Sequence, residues 1–319
     1  VSDTLRGGVS VSRNRIDSRT ELFSVSGAPR QAQLKPDTKR SQPVRAHRSL
    51  VISLAIALVL AAPAAAVARR LIIDGSTSML PLVQKLATAY HKAYPHIPAP
   101  KVGAGQSDVG IQDAARGRVD IGDSSRNAHK PCTVAGNDPC GLAFTKIAED
   151  GICVITNPAN PISTLSEEQV QAIFTGAVRD WSEVRGATIS GPIDLFDRDG
   201  ASGTQDAFQH IFLGEERKVS PSASEELSNG LEQNAVHNDK QAIGFVSFAF
   251  TTGVNAVGFQ GVACNLRNAK SGQYGGVRNF WLVTKGLPRG AAAKFINWVT
   301  KPGNKTVRSI VNSNWIAIH

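Results

Sequence analysis

Three short segments of this chain place glycine and hydroxyl side chains immediately ahead of a predicted helix. They are Gly75-Ser76-Thr77-Ser78, Gly105-Gln106-Ser107 and Gly200-Ala201-Ser202-Gly203-Thr204. A helix start exposes backbone N–H groups without intrahelical partners and the positive end of the helix dipole, so it attracts anions. Glycine lets the backbone approach a ligand closely, and each hydroxyl adds a donor that can turn toward an oxygen. Two arginines lie nearby: Arg126 follows Asp123-Ser124-Ser125, and Arg198 precedes Ser202 by four residues. A guanidinium engages two oxygens of one oxyanion at once. Taken singly, each Ser or Thr is an ordinary N-cap and each Arg half of an ion pair. Together they supply the donors a tetrahedral oxyanion requires.

Turnover of a bound ester would need a nucleophile with its base, or a metal cluster. The seven histidines show no metal-ligand spacing, and Gly105-Gln106-Ser107-Asp108-Val109-Gly110 misses the Gly-x-Ser-x-Gly elbow by one residue. His129, near the expected cleft loop, reads as solvent-facing. The residues therefore point to binding without chemistry, with no cofactor and no metal. A secreted phosphomonoesterase using the same cradle is the alternative from another class, and an adhesin or extracellular scaffold a third.

The elements that must position these groups alternate between strand and helix. Leu71-Ile72-Ile73 predicts a strand, and Leu80, Val83, Leu86, Ala87 and Tyr90 the apolar stripe of a helix ended by Pro95 and Pro98. A second helix is predicted from about Asp108 to Arg116, and a strand at Val119–Gly122. Strands follow at Gly151–Thr156, Ile193–Phe196, Ala242–Ser247 and Phe280–Thr284. Helices are predicted near Ser166, which opens with a capping signature, at Gly203–Phe212 and at Ala291–Val299. This order implies an α/β protein with parallel-rich sheets, whose ligands sit at strand C-termini.

The chain from 71 to 318 resembles the phosphate-binding component of bacterial high-affinity phosphate ABC importers. The resemblance rests on Asp74–Ser78, Val119–Arg126, Ile173-Phe174-Thr175-Gly176 with Trp181, Arg198–Thr204, Ala242–Ser247 and Arg278-Asn279-Phe280, in the family's order. Arg-x-x-x-Ser-Gly-Thr is the most specific of these. The resemblance implies a two-lobed periplasmic-binding-protein-like (type II) fold, with two hinge strands and a ligand cleft between the lobes. Lobe 1 would comprise residues 69–151 and 248–319, and lobe 2 residues 152–247, with crossings near Cys153–Thr156 and Gly244–Ser247. It further implies phosphate ligands at Ser76, Thr77, Ser78, Ser107, Ser125 and Arg126 on the first lobe, and at Arg198, Ser202, Gly203 and Thr204 on the second. Some relatives carry an Asp in the segment where this chain has Ser124-Ser125-Arg126. Such an Asp accepts the proton that phosphate retains near neutral pH and sulfate lacks. Asp123 and Asp199 are the nearby substitutes. Gln205 stands where Arg is common. The alternative within the fold is a receptor for sulfate, molybdate or tungstate.

The net charge of +9 at first suggests a nucleic-acid partner. Ten Lys/Arg and four acids fall within residues 1–68, so that stretch carries +6 and the rest only +3. The remaining basic residues are not interleaved with aromatics, which argues against a nucleic-acid groove. Residues 1–68 instead resemble an export signal with a long basic N-region. Arg45 and Arg48 precede an apolar run from Leu50 to Leu60, then Ala66-Val67-Ala68. Cleavage is expected near Ala68, with a retained membrane anchor as the alternative. The four cysteines all follow that point, an even number suited to disulfides in an oxidising compartment. Cys132 and Cys140 flank a turn-rich loop that a disulfide could staple, and the sequence leaves the pairing of Cys153 with Cys264 open. The expected partners are inorganic phosphate and the membrane permease of an ABC importer. The protein is expected to be a monomer, periplasmic or extracellular.

Overall fold

The computed structural model describes residues 69–318; the expected export signal lies outside the described residues. The apolar run after Arg70 forms β1 (Ile72–Gly75), followed by α1 (Leu80–Ala93), β2 (Lys101–Val102), α2 (Ser107–Arg116) and β3 (Ile121–Ser124). A loop closed by a Cys132–Cys140 disulfide leads into β4 (Leu142–Thr156), the longest strand. Next come β5 (Thr164–Leu165), α3 (Glu167–Phe174), β6 (Asp194–Arg198), α4 (Gly203–Phe208), β7 (Ser224–Glu226), α5 (Asn229–Asn238) and β8 (Ala242–Ser247). The chain ends with β9 (Asn255–Phe259), α6 (Leu266–Lys270), β10 (Val277–Lys285), α7 (Gly290–Thr300) and α8 (Lys305–Asn314). No helix among the described residues is long and apolar enough to cross a membrane.

The strands run in the order β2-β1-β3-β10-β4-β8-β6-β7, with β9 against β4 and β5. β1 pairs in parallel with β2 and β3, and β6 in parallel with β7 and β8. This puts the C-terminal ends of β1, β3 and β6 ahead of α1, the Ser125 loop and α4. Two apolar cores flank this arrangement, so the fold is two-lobed. In the first, α1 lays Leu82, Val83, Leu86 and Tyr90 against β1, β3 and β10, with Phe295 of α7 and Trp315 closing the other side. Leu82, rather than the expected Leu80, is the first fully buried leucine of that stripe.

The second core is aromatic. Phe174, Trp181, Phe208, Phe212 and Phe245 are all fully buried. Phe208 and Phe245 stack with ring centroids 3.9 Å apart and an interplanar angle of 4°. The helix expected from Gly203 to Phe212 begins as α4 and finishes as a wider π-turn over Gln209–Leu213, which keeps Phe212 and Leu213 inward. Ser166 caps α3 by the reciprocal Ser–Gln bonds that its sequence signature implies.

β4 serves both cores. Its first part, through Gly151, pairs with β10, whereas Ile152–Thr156 pairs with β8 and β9. After β8 the chain makes contacts with more than one cluster. β9 contributes Val257 to the second core and pairs with β5. Cys264 is bonded to Cys153 on the second-core part of β4. Ala249 packs against the first core, and β10 pairs with β4 from Val277, directly opposite Gly151, where Ile152 N–H donates to Gly276 O at 2.8 Å. β4 and β10 thus lie side by side at Gly151–Ile152 and Gly276–Val277. A short, weakly patterned strand such as β9 carries no sequence signal of the sheet it joins. Phe245→Ala should lower the unfolding free energy by about 3–5 kcal/mol, read from the midpoint of denaturant unfolding.

Candidate functional site

The first hydroxyl segment does not cap its helix. α1 starts with Met79 at the N-cap position and no side-chain cap bond, while Leu80 N–H is met by the Ser76 carbonyl. Ser76, Thr77 and Ser78 are thereby released from the backbone duty that their residue types suggest. The turn is held by Asp123, whose Oδ1 accepts from Ser76 N–H at 2.6 Å. Gly75 is required there, with φ of 153° and the Asp123 backbone occupying the space a Cβ would need. Ser76 Oγ donates to Ser125 Oγ at 2.8 Å.

The other two helix starts converge on the same point. Ser107 opens α2, and its Oγ accepts from Ser125 N–H at 3.1 Å. Ser202 is the N-cap of α4, its Oγ accepting from the N–H groups of Thr204 and Gln205 at 3.2 and 3.3 Å. Gly203 lies so close to the first-core residues that a Cβ would overlap Ser107 Oγ and come within 2.7 Å of Ser125 Oγ. Asp108 N–H donates to Ala201 O at 3.2 Å, and Gln106 Nε2 donates to Asp199 Oδ2. Ser78 Oγ lies 2.9 Å from Thr204 Oγ1. Segments more than 120 residues apart in sequence thus share one buried hydroxyl cluster.

Arg198 reaches this cluster from the end of β6. It is 2% exposed, its Nε donates to Glu226 O at 2.8 Å, and Nη2 approaches Thr77 Oγ1 at 3.4 Å. Its Nη1 is buried without a protein partner among the described residues. Burial lowers the Arg198 pKa, and the charge of Glu232 opposes that fall.

Arg126, expected as a ligand, is committed elsewhere. Nε and Nη2 engage Asp108, Nη1 and Nη2 hold both oxygens of Asp138, and Nη1 also donates to Asn127 O. These contacts use all five guanidinium donors, so none remains for an anion. Burial alone would pull its pKa down, but Asp138 and Asp108 more than offset this and raise it. Asp138 lies within the disulfide-closed loop, beyond the reach of local sequence patterns. Ser78 is likewise surrounded, by Thr204, Asn229 and Arg278.

Two residues central to the cluster escaped the sequence reading of the site. Arg278, at the start of β10, donates from Nη2 to Ser78 Oγ at 2.9 Å and from Nη1 to Gly203 O at 3.2 Å. Its charge is met by the fully buried Asp150, at 2.9 Å from Nη2, and Ser247 Oγ donates to the other Asp150 oxygen. Burial pushes both partners toward their neutral forms, and their mutual contact holds the charged pair together. Asn229, at the start of α5, donates from Nδ2 to Thr77 Oγ1 and Ser78 Oγ, both at 3.0 Å. Arg278 was visible as part of a motif, but Asn229 carried no signal beyond Ser228 as a helix cap.

Of the two candidate carboxylates, Asp199 is used locally: Oδ1 accepts from Ala201 N–H and Oδ2 from Gln106. Asp123 differs. It is fully buried, its Oδ2 has no partner among the described residues, and burial pushes its pKa up to about 8. Glu232, also buried, is likewise raised to about 8 by desolvation, with Arg198 opposing. An unfolded Asp titrates near about 3.9, so the folded protein binds this proton more tightly than the unfolded chain does. Stability from both groups is therefore fully present at low pH and declines as pH rises from about 4 to 8. Asp123→Asn should flatten that decline by one proton's contribution, measured as the unfolding free energy across this pH range.

A family model described as a PBP superfamily domain matches residues 60–302. The chain belongs to that superfamily. Among individual proteins, the phosphate-binding protein PstS of Bacillus subtilis (strain 168) is 28% identical over 231 residues, 72% of this chain and 74% of its own length. A Clostridium perfringens protein, assigned as a phosphate ABC transporter substrate-binding protein and solved with bound phosphate, superposes with a TM-score of 0.71 at 28% identity. It covers 79% of this chain and 100% of its own. An ABC-type phosphate transport receptor from Vibrio cholerae gives a TM-score of 0.61 at 25% identity, over 77% of this chain and 99% of its own.

Proposed function

We propose that this protein captures inorganic phosphate between its two lobes and delivers it to the membrane permease of an ABC importer. The observation that carries the reading is Arg198: a buried guanidinium whose Nη1 has no protein partner among the described residues, set among hydroxyls. A desolvated charge with an unmet donor is costly unless an anion completes its shell. Ser76, Thr77, Ser107 and Ser125 would bind from the first lobe, and Arg198, Ser202, Gly203 and Thr204 from the second. Arg126 and Ser78 support this shell from behind. The first lobe would comprise residues 69–151 and 277–319, and the second residues 152–276, in keeping with the passages at Gly151 and Gly276. Because each lobe contributes donors, the ligand favours the closed state. The relatives' names supply the choice of phosphate and of transport. The protein acts outside the cytoplasm as a monomeric receptor and leaves its ligand chemically unchanged.

Calorimetric titration of residues 69–319 with phosphate, sulfate and molybdate at two pH values tests the reading. Phosphate should bind most tightly, and indifference to all three ions would overturn the proposal. Arg198→Ala should cost about 2–5 kcal/mol of phosphate binding, because it strips the ligand of a desolvated charge partner. Unchanged affinity in that variant would remove Arg198 from the site.

A further inference from the structure

The hydrogen atoms of the cluster can be assigned by counting donors and acceptors. Ser247 N–H can only donate, and it meets Asn229 Oδ1 at 2.9 Å. The Asn229 amide is therefore fixed in one orientation, with its NH2 facing the hydroxyls. Asn229 is fully buried, so no water competes for that amide. Ser78 Oγ receives Asn229 Nδ2 at 3.0 Å and Arg278 Nη2 at 2.9 Å, both groups that only donate. Two lone pairs are thereby used, and the Ser78 proton must go to its remaining neighbour, Thr204 Oγ1, at 2.9 Å. Thr204 Oγ1 then has only donors around it, Ser78 and the more distant Asn229 Nδ2 at 3.4 Å, so its own proton is left for an acceptor outside this network. Thr77 Oγ1 is in the same position. Its neighbours are Asn229 Nδ2 at 3.0 Å, and Asn229 N–H and Arg198 Nη2 at 3.4 Å, all of them donors.

We infer that Asn229 is a specificity-determining positioning residue: with Arg278 it polarises Ser78, Thr77 and Thr204 so that both threonines can only donate to the ligand. A ligand atom at these two points must accept, which suits the oxygens of an oxyanion and rejects an ammonium group, which has no lone pair to offer. Asn229 touches residues of both lobes, so it also sets this polarity only when the lobes meet. The inference rests on the oxyanion reading of the cleft, and it adds which protein atoms orient the hydroxyl protons.

Asn229→Asp tests it. The substitution keeps the shape and the acceptor for Ser247 N–H but replaces the NH2 group by an oxygen, which turns the Thr77 and Ser78 protons toward itself. Phosphate affinity at pH 8, measured calorimetrically on residues 69–319, should fall on the order of 10- to 100-fold relative to wild type. The loss should shrink as pH falls toward 5, because a protonated carboxyl donates again. Using the ratio to wild type at each pH cancels the titration of free phosphate, and Asp123, Asp150, Glu232, Arg198 and Arg278 are the charged groups facing the site whose own titration both proteins share in kind. A ratio near one throughout, or a loss independent of pH, would overturn the inference. Ser78→Ala decides the matter if Asn229→Asp does not fold. It cuts the link to Thr204 and should weaken phosphate binding several-fold, whereas unchanged affinity would overturn the inference. Failure of the wild-type protein to bind any oxyanion would instead defeat the proposed function itself.

Discussion

A guanidinium buried at 2% exposure with one donor unmet is the constraint on which the rest of the arrangement depends. Charge removed from water must be compensated, and Arg198 is compensated only in part, by Glu226 O and by Glu232 at 3.9 Å. Everything nearby responds to this. Glu232 is itself held by Phe245 N–H at 2.7 Å, which ties the charge balance of the cleft to the strand at the centre of the aromatic core. Three helix starts aim into the same space, and none of the buried hydroxyls is free to face water. The result is a buried cluster of hydroxyl and guanidinium donors beside the Asp123 and Glu232 carboxylates.

The second cation, Arg278, is handled in the opposite way. Asp150 neutralises it within the protein, so its remaining donors are free to orient Ser78 and to hold the Gly203 carbonyl. Arg126 represents a third solution, with every donor given to Asp108, Asp138 and the Asn127 carbonyl. Three arginines of the same residue type therefore do three different things. Which one meets a ligand depends on where carboxylates lie in space, and residue type carries no such information.

The connection between the lobes is narrow and adjacent. β4 and β10 pair along nearly the whole of the first core and part where one core gives way to the other, at Gly151 and Val277. At Gly151 a Cβ would strike the Phe248 ring, so that passage is closely packed. The Cys153–Cys264 disulfide joins β4 to the segment between β9 and β10, within a cluster that also holds Ala269 of α6, Val246 of β8 and Ile316.

Much of this was legible in the sequence because it is local. Apolar periodicity predicted α1, α2, α7, β1 and β8, and glycine with hydroxyls marked the three helix starts that the fold brings together. Composition also separated the basic residues 1–68 from a nearly neutral remainder. What the linear pattern could not hold was anything decided by partners remote in sequence. Ser76 to Ser78 read as helix caps, and only the Asp123 carboxylate, 47 residues away, frees them from that task. Arg126 and Arg198 look equivalent until Asp138 folds over one of them. Asn229 is an unremarkable residue after a cap, and it becomes central because Ser247 of β8 pins its side-chain carbonyl and the Thr77-Ser78 turn offers it two hydroxyls. Sequence determined which donors were present and which helices could present them. Only the tertiary structure decided which donors remain unspent, because hydrogen bonds and ion pairs are settled by distance in space.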